Sequence, residues 1–582
     1  MTLDIASTAF LAQSAISGAP ALHQVSVEEA RLMYTAMAAL SHEGPQMDRI
    51  EEVAITTADE STIRAHVLTP PGPSKSVIVY YHGGTWYWNR YPGARCDLQS
   101  MAYSYSFSPE LEQEWRWSEV YATQPEILNY VEHVAQRFDL NKHINFDTRV
   151  ERAVYDEDNQ QWLIYTDTGE VVAARYFIMA TGCLSVSKDL DIPGTDTFQG
   201  PSYVTGLWPH KGVDFTGQKV AVIGTGSSAI QSIPLIAEQA TAMTIYQRTP
   251  TYSMPAKNRP LDEDEIAEMK ANYPSYRGEQ KLAAAAIVDP PRSLESWHMV
   301  DEEERAHRYD AAWNAGLLIA MQSTFNDIQL DQEANNHISR YIHRRIRALV
   351  NDPETAEALL PQSYPFATKR PCLDTNYYET FNKDSVQLVD LQQTPILEIT
   401  EKGIKTSGGE EQFDAIVFAT GFDGMTGALT AVDIRGRESV SLKEKWAQGP
   451  HSYLGLAVAG FPNLFTITGP SSPSVLSNML VSIEQHVDWV SDCIAWMGER
   501  NLATIEAETE AEDEWAKHTE LQAHLTLYPK ANSWYMGANV PGKTQMFMAY
   551  VGGVGVYRQV CDSIAAADYE GFTFNEAKST RV

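Results

Sequence analysis

Apolar positions along the chain follow two periods. Val77-Ile78-Val79-Tyr80-Tyr81, Tyr176-Phe177-Ile178-Met179-Ala180, Val220-Ala221-Val222-Ile223 and Ala415-Ile416-Val417-Phe418 are short unbroken runs, and each ends in a glycine turn. Such runs predict buried strands feeding loops. Between them the pattern turns helical. Ser26 and Glu29 form a capping box ahead of Met33, Met37 and Leu40, an apolar helix follows Gly226, and about 262–351 is charged and helix-patterned, which reads as an insertion. Pro70-Pro71-Gly72-Pro73 marks a turn. Thr85 to Asp97 crowds aromatic, proline and charged residues with no period and is read as a functional loop. Alternating strand and helix predicts an α/β fold with parallel sheets.

Composition narrows the function. At roughly 150 residues per domain, 582 residues make about three to four units. Lys plus Arg is 44 and Asp plus Glu is 76, a formal charge of −32, which repels phosphate backbones and anionic surfaces. No nucleic-acid or membrane partner is expected. Cys96, Cys183, Cys372, Cys493 and Cys561 are far apart, so neither a disulfide framework nor a metal site is indicated. His337 and His343 are six apart, the wrong spacing for a helical metal pair, and are read as surface residues. Glu506, Glu508, Glu510, Glu512 and Asp513 are read as a solvated helix face. The first Lys or Arg is Arg31 and no apolar run approaches the ~20 residues of a membrane helix. A cytoplasmic protein is expected, a monomer or weak homo-oligomer.

Gly224-x-Gly226-x-x-Ala229 follows a strand and opens a helix, the context a dinucleotide fingerprint requires. One glycine makes the turn, the next admits the pyrophosphate, and a small third residue packs closely. The next strand ends in Gln247-Arg248-Thr249, where an arginine in place of an acid favours the 2′-phosphate of NADP.

Further motifs stand in order: GGTWYWNRYPGARCD at 83–97, Phe198-Gln199-Gly200 through Trp208-Pro209, GTGSSA at 224–229, Gln247-Arg248-Thr249-Pro250, Lys369-Arg370-Pro371, Ala419-Thr420-Gly421-Phe422, Gly469-Pro470-Ser471-Ser472 through Asn478-Met479, and Asn532 to Gly537. From about Gly83 onward the chain resembles the flavin-dependent Baeyer–Villiger monooxygenases of the cyclic-ketone type. The resemblance implies an enzyme that reduces FAD with NADPH, combines the flavin with O2 and converts a ketone to an ester or lactone. It implies Arg370 as catalytic cation, oriented by Asp97. It places Gly83, Gly84, Thr85, Trp86, Asp97, Tyr103, Val150, Thr181 and Met479 at the flavin. Gly224, Thr225, Gly226, Ser227, Ser228, Ala229, Gln231, Arg248, Thr249, Lys369 and Trp534 fall to NADPH, and Ser474-Val475-Leu476 to the substrate.

The chain departs from that family in places. Val204 stands where the family has a histidine, Leu207 where a polar residue is usual, and Ala229 for a glycine. Upstream of Gly83 the family carries a strand, a first GxGxxG, a helix and a strand ending in a ribose-binding glutamate. Here Gly18, Gly44 and Gly72 are the glycines before Gly83 and cannot supply that motif. Residues 1–84 instead resemble the N-terminal part of hormone-sensitive-lipase-like α/β-hydrolases, with His82-Gly83-Gly84 as oxyanion-type loop, but no GxSxG elbow follows, so esterase activity is not expected.

The expected architecture is α/β with two Rossmann-like lobes and a helical insert. A hydrolase-like segment would span 1–82, with Val77–Tyr81 standing in for the missing strand. The FAD lobe, lacking its usual N-terminal strand, GxGxxG and helix, would take 83–182 and 385–582, and the NADP lobe 183–384. The leading function is ketone oxygenation with FAD, NADPH and O2. The alternatives are a sulfur- or nitrogen-oxygenating flavoenzyme and a flavin-poor or inactive fusion that only binds NADP(H).

Overall fold

A computed structural model describes residues 49–56, 62–69, 77–81 and 84–576 apart from 189, with side chains from 84 onward. The Ser26 helix, the Pro70–Pro73 turn, His82 and Gly83 lie outside the described residues. The chain divides into two compact units, 1–73 and 74–582. In the first, Arg49–Thr56 and Thr62–Thr69 pair antiparallel from Arg49↔Thr69 to Thr56↔Thr62.

In the second unit the Gly224 run forms the middle of a five-stranded sheet, in the order Val386–Asp390, Ala242–Gln247, Lys219–Ile223, Ala415–Phe418, Ser202–Val204. All of its pairings are parallel. Two of these strands lie beyond residue 384, the expected end of the NADP lobe. A parallel neighbour needs a long crossover, and the helical region provides it: helices Glu263–Leu282, Glu302–Ala315 and Gln332–Leu349 stand between strands Ala242–Gln247 and Val386–Asp390. Each begins at an aspartate, Asp262, Asp301 or Asp331, whose side chain accepts a backbone N–H of its first turn. Val220, Val222 and Ile245 pack with Ile230, Ile233 and Ile236 of helix Ser227–Gln239 in one fully buried cluster.

A second parallel sheet has the order Leu464–Thr466, Tyr176–Ala180, Val77–Tyr81, with Val77↔Tyr176 to Tyr81↔Ala180 in register. Val77–Tyr81 is thus a strand of this sheet, beside the strand that ends at Ala180. Thr85–Trp88 is one helical turn, where an irregular loop was expected, before the chain becomes irregular again.

Surface expectations at four residues are corrected. Glu506 lies on strand Leu502–Ala507 and pairs with Arg437 at 2.8 Å. Glu512 is 2% exposed, accepting from the Ala459 amide at 2.9 Å and meeting Lys445 Nζ at 2.8 Å. His337 packs on Trp297 and Tyr309, and His343 stacks on Tyr252 with Nε2 3.0 Å from the Pro361 carbonyl, so both are half-buried. Neighbouring aromatic surface draws these rings in, which spacing along one helix does not reveal. Among the described residues no helix is long and apolar enough to cross a membrane, and no cluster could hold a metal ion.

Candidate active site

The glycine loop is shaped by contact. Gly224 has φ +112° and a Cβ there would lie 2.4 Å from the Ala419 carbonyl, so a side chain is excluded. Gly226 is the N-cap of helix Ser227–Gln239, with no side-chain cap and open space where its Cβ would stand. The first-turn amides of a thirteen-residue helix therefore have no capping side chain, and a pyrophosphate fits there. Ala229 is fully buried and Thr225 Oγ1 donates to the Thr249 carbonyl at 3.1 Å. Ser228 Oγ lies 3.2 Å from Thr205 Oγ1, and Ser227 Oγ 3.1 Å from Cys372 Sγ.

Beside this loop three cations share one field. Burial and then Arg248 push Lys369 down to about 8, and its Nζ sits 4.4 Å from the centre of the Tyr364 ring. The same two causes lower Lys188, with Asp191 opposing them. None of the three forms an ion pair within 4 Å with a described residue, so the cluster suits an anion such as a 2′-phosphate. Lys188 escapes the sequence reading because it belongs to no motif. It arrives with the Lys188 amide donating to Gly421 O at 3.3 Å, and the segment from Ala419 abuts Gly224.

Asp97 and Arg370 are brought into one environment. Burial raises the Asp97 carboxyl to about 6 against the pull of Arg370, the Leu373 amide, Gln231 and Arg95. Burial disfavours the Arg370 cation, and Asp97 with Tyr535, Cys96 and Cys372 more than offsets it, leaving the pKa above its ordinary value. Arg370 Nη1 donates to the Val475 carbonyl at 3.4 Å. No ion pair within 4 Å joins Asp97 to Arg370. Asp97 Oδ1 accepts from Gln231 Nε2 at 3.3 Å, so the expected pairing with Arg370 becomes a longer-range attraction.

The residues expected at the flavin divide. Gly84 has φ +85° as N-cap of the turn that Thr85 begins. Trp86 Nε1 donates to Tyr103 OH at 3.3 Å, with ring centroids 6.1 Å apart, and Gln124 holds the Trp86 carbonyl. Met479 opens helix Met479–Glu499, anchored by the buried Asn478, whose Nδ2 donates to the Ala102 carbonyl at 2.8 Å. Thr181 is buried at the end of strand Tyr176–Ala180. Val150 packs in a core with Trp162, Phe177 and Leu464. Trp534 lies against Gly424, where a Cβ would meet its ring at 2.8 Å. An aromatic wall suited to a flavin ring is present. Strand Val77–Tyr81, however, leads into a four-residue turn and not into a long glycine-opened helix, so the fit to the pyrophosphate of FAD is incomplete.

The fingerprint region around Trp208 is structural at its centre. Trp208 is 2% exposed among Tyr203 and Phe215, Val204 pairs with Phe418, and Leu207 is 56% exposed.

The profile of the pyridine nucleotide-disulphide oxidoreductases matches residues 97–295. A Baeyer-Villiger monooxygenase of Pseudooceanicola batsensis is 41% identical over 493 residues, 84% of this chain and 89% of that protein. The chain belongs to the Baeyer–Villiger monooxygenase family. A steroid monooxygenase bound to NADP superposes on this family member with a TM-score of 0.81 at 49% identity, covering 85% of this chain and 92% of that one. OTEMO in complex with FAD and NADP superposes with a TM-score of 0.82 at 39% identity, covering 84% and 92%. The expected α/β fold and flavin- and NADPH-dependent monooxygenase class are thereby met. The hydrolase-like character of residues 1–84 rests on sequence alone.

Proposed function

We propose that this monooxygenase uses FAD and NADPH to insert one atom of O2 into a ketone, giving an ester or lactone. The observation that carries the reading is Arg370, held charged between Asp97 and the Val475 carbonyl, on the segment whose Cys372 touches Ser227 of the nucleotide-binding helix. The first-turn amides after Gly226, with Arg248, Thr249, Lys369 and Lys188, hold NADPH; Trp86, Tyr103 and Met479 flank the flavin. When bound, FAD would supply the redox chemistry, with NADPH as reductant and O2 as oxygen source. The protein's share is position and charge. Attack on a carbonyl places negative charge on its oxygen, and a guanidinium stays cationic at any working pH to stabilise it. Val475 and Leu476 give that position an apolar side suited to an alicyclic ketone. All five cysteines are free, which supports a cytoplasmic setting, and a monomer or weak homo-oligomer completes the reading.

The test is product analysis with cyclohexanone, NADPH and added FAD. Lactone should form, and Arg370→Ala should reduce kcat by about a hundredfold or more. Sulfide oxidation without lactone, or lactone formation indifferent to Arg370→Ala, would overturn the reading.

A further inference from the structure

Gln231 lies one turn after Ser227 on the helix that opens at the glycine loop, but its amide faces elsewhere. Oε1 accepts from the Tyr91 hydroxyl at 2.9 Å and from the Arg95 amide at 3.4 Å. Nε2 donates to the Arg95 carbonyl at 3.1 Å and to Asp97 Oδ1 at 3.3 Å. A primary amide has two N–H donors and two accepting lone pairs, and all four are engaged. Nothing remains for a dinucleotide, so the role expected for Gln231 changes. The backbone reinforces the contact: Gly93 has φ +81° and a Cβ there would sit 2.3 Å from the Gln231 carbonyl. The loop 91–97 is therefore docked on this helix at one residue, by backbone and side chain together.

We propose that Gln231 is a positioning residue: it locks the loop 91–97 to the nucleotide-binding helix and fixes the Asp97 carboxylate that balances Arg370. The proposal rests on the reading of Asp97 and Arg370 given above. Its physical basis is that Asp97 is buried and needs donors to remain ionised. The charged groups facing Asp97 are Arg370 and Arg95. Tyr91, Tyr121, Cys96 and Cys372 also face it, and burial pushes all four upward, so they stay neutral. Asp374 lies in the same field, raised by burial to about 7. Removing the Gln231 donor leaves Asp97 ionising at higher pH, and a neutral Asp97 no longer balances Arg370.

Two measurements on the full chain with added FAD test this. In kcat against pH from 5 to 9, Gln231→Leu should move the acid limb up by about 0.5–1 pH unit, with KM for NADPH little changed. Tyr91→Phe, which removes a loop contact and spares Asp97, should leave the limb in place. The second measurement needs no turnover: the Tm deficit of Gln231→Leu should be larger at pH 8 than at pH 5, and equal at both in an Asp97→Asn background. Loss of packing alone gives a deficit independent of pH. An unmoved acid limb with a pH-independent deficit overturns the proposal. A parent chain that makes no lactone overturns the functional reading instead, and the Tm comparison still decides whether Gln231 acts on Asp97.

Discussion

In the proposed nucleotide site, with Lys188 and Arg248 beside it, Lys369 is expected to govern the pH behaviour of binding. Like charges at one site raise each other's cost of ionisation, and Lys369, lowered to about 8 by burial and Arg248, loses its proton as pH rises through that value. A cation that binds phosphate contributes below its pKa and is lost as pH rises through it. NADP+ affinity, measured by fluorescence titration, should therefore be flat near pH 7 and fall several-fold between pH 7.5 and 9, while NAD+ affinity should not follow. Lys188→Gln should weaken NADP+ by about tenfold and leave NAD+ unchanged, since one charge-assisted hydrogen bond is worth ~1.5–3 kcal/mol. Equal pH profiles for the two nucleotides would remove the 2′-phosphate from this cluster.

Between elements, the buried Glu512 on helix Thr509–His524, one of a cluster that sequence alone reads as a solvated helix face, pairs with the half-buried Lys445 of helix Leu442–Lys445. Lys445→Ala leaves a carboxylate 2% exposed with the Ala459 amide as its remaining partner, and should cost about 3 kcal/mol in urea unfolding. Adding Glu512→Gln should recover part of that loss, and purely additive effects would show that the two do not interact. The same contrast explains what was legible. The Val220–Ile223 strand, the Gly224 turn and the helix after it are local signals, and all stand where the pattern put them. The placing of strands Val386–Asp390 and Ala415–Phe418 in the Gly224 sheet is set by pairing across more than a hundred residues, so no window of sequence shows it. Asp97 and Arg370 were reached by resemblance. That Gln231, and not Arg370, contacts the Asp97 carboxylate is a matter of side-chain direction, which no motif encodes.

At the scale of the molecule the two nucleotide cradles are unequal. The second has its strand, its tight glycine and an uncapped thirteen-residue helix within one stretch of chain, so it is complete by itself. The first has a parallel sheet in which Val77–Tyr81 fills an edge position and an aromatic wall at Trp86 and Tyr103, but one helical turn where a long helix N-terminus would hold the pyrophosphate. Among the described residues the charge-assisted contacts of such a helix, ~1.5–3 kcal/mol each, are absent, and a loss of about 3 kcal/mol is already roughly a hundredfold in affinity. The purified protein should therefore bind NADP+ in the absence of flavin, emerge with clearly less than one FAD per chain, and gain monooxygenase turnover as FAD is added to micromolar levels. Flavin content by absorbance after denaturation, set beside NADP+ titration of the same sample, makes the comparison. A yellow preparation with nearly one FAD per chain and no response to added FAD would mean that the edge strand and the single turn at Thr85 rebuild the cradle, and that the helix is dispensable for holding the cofactor.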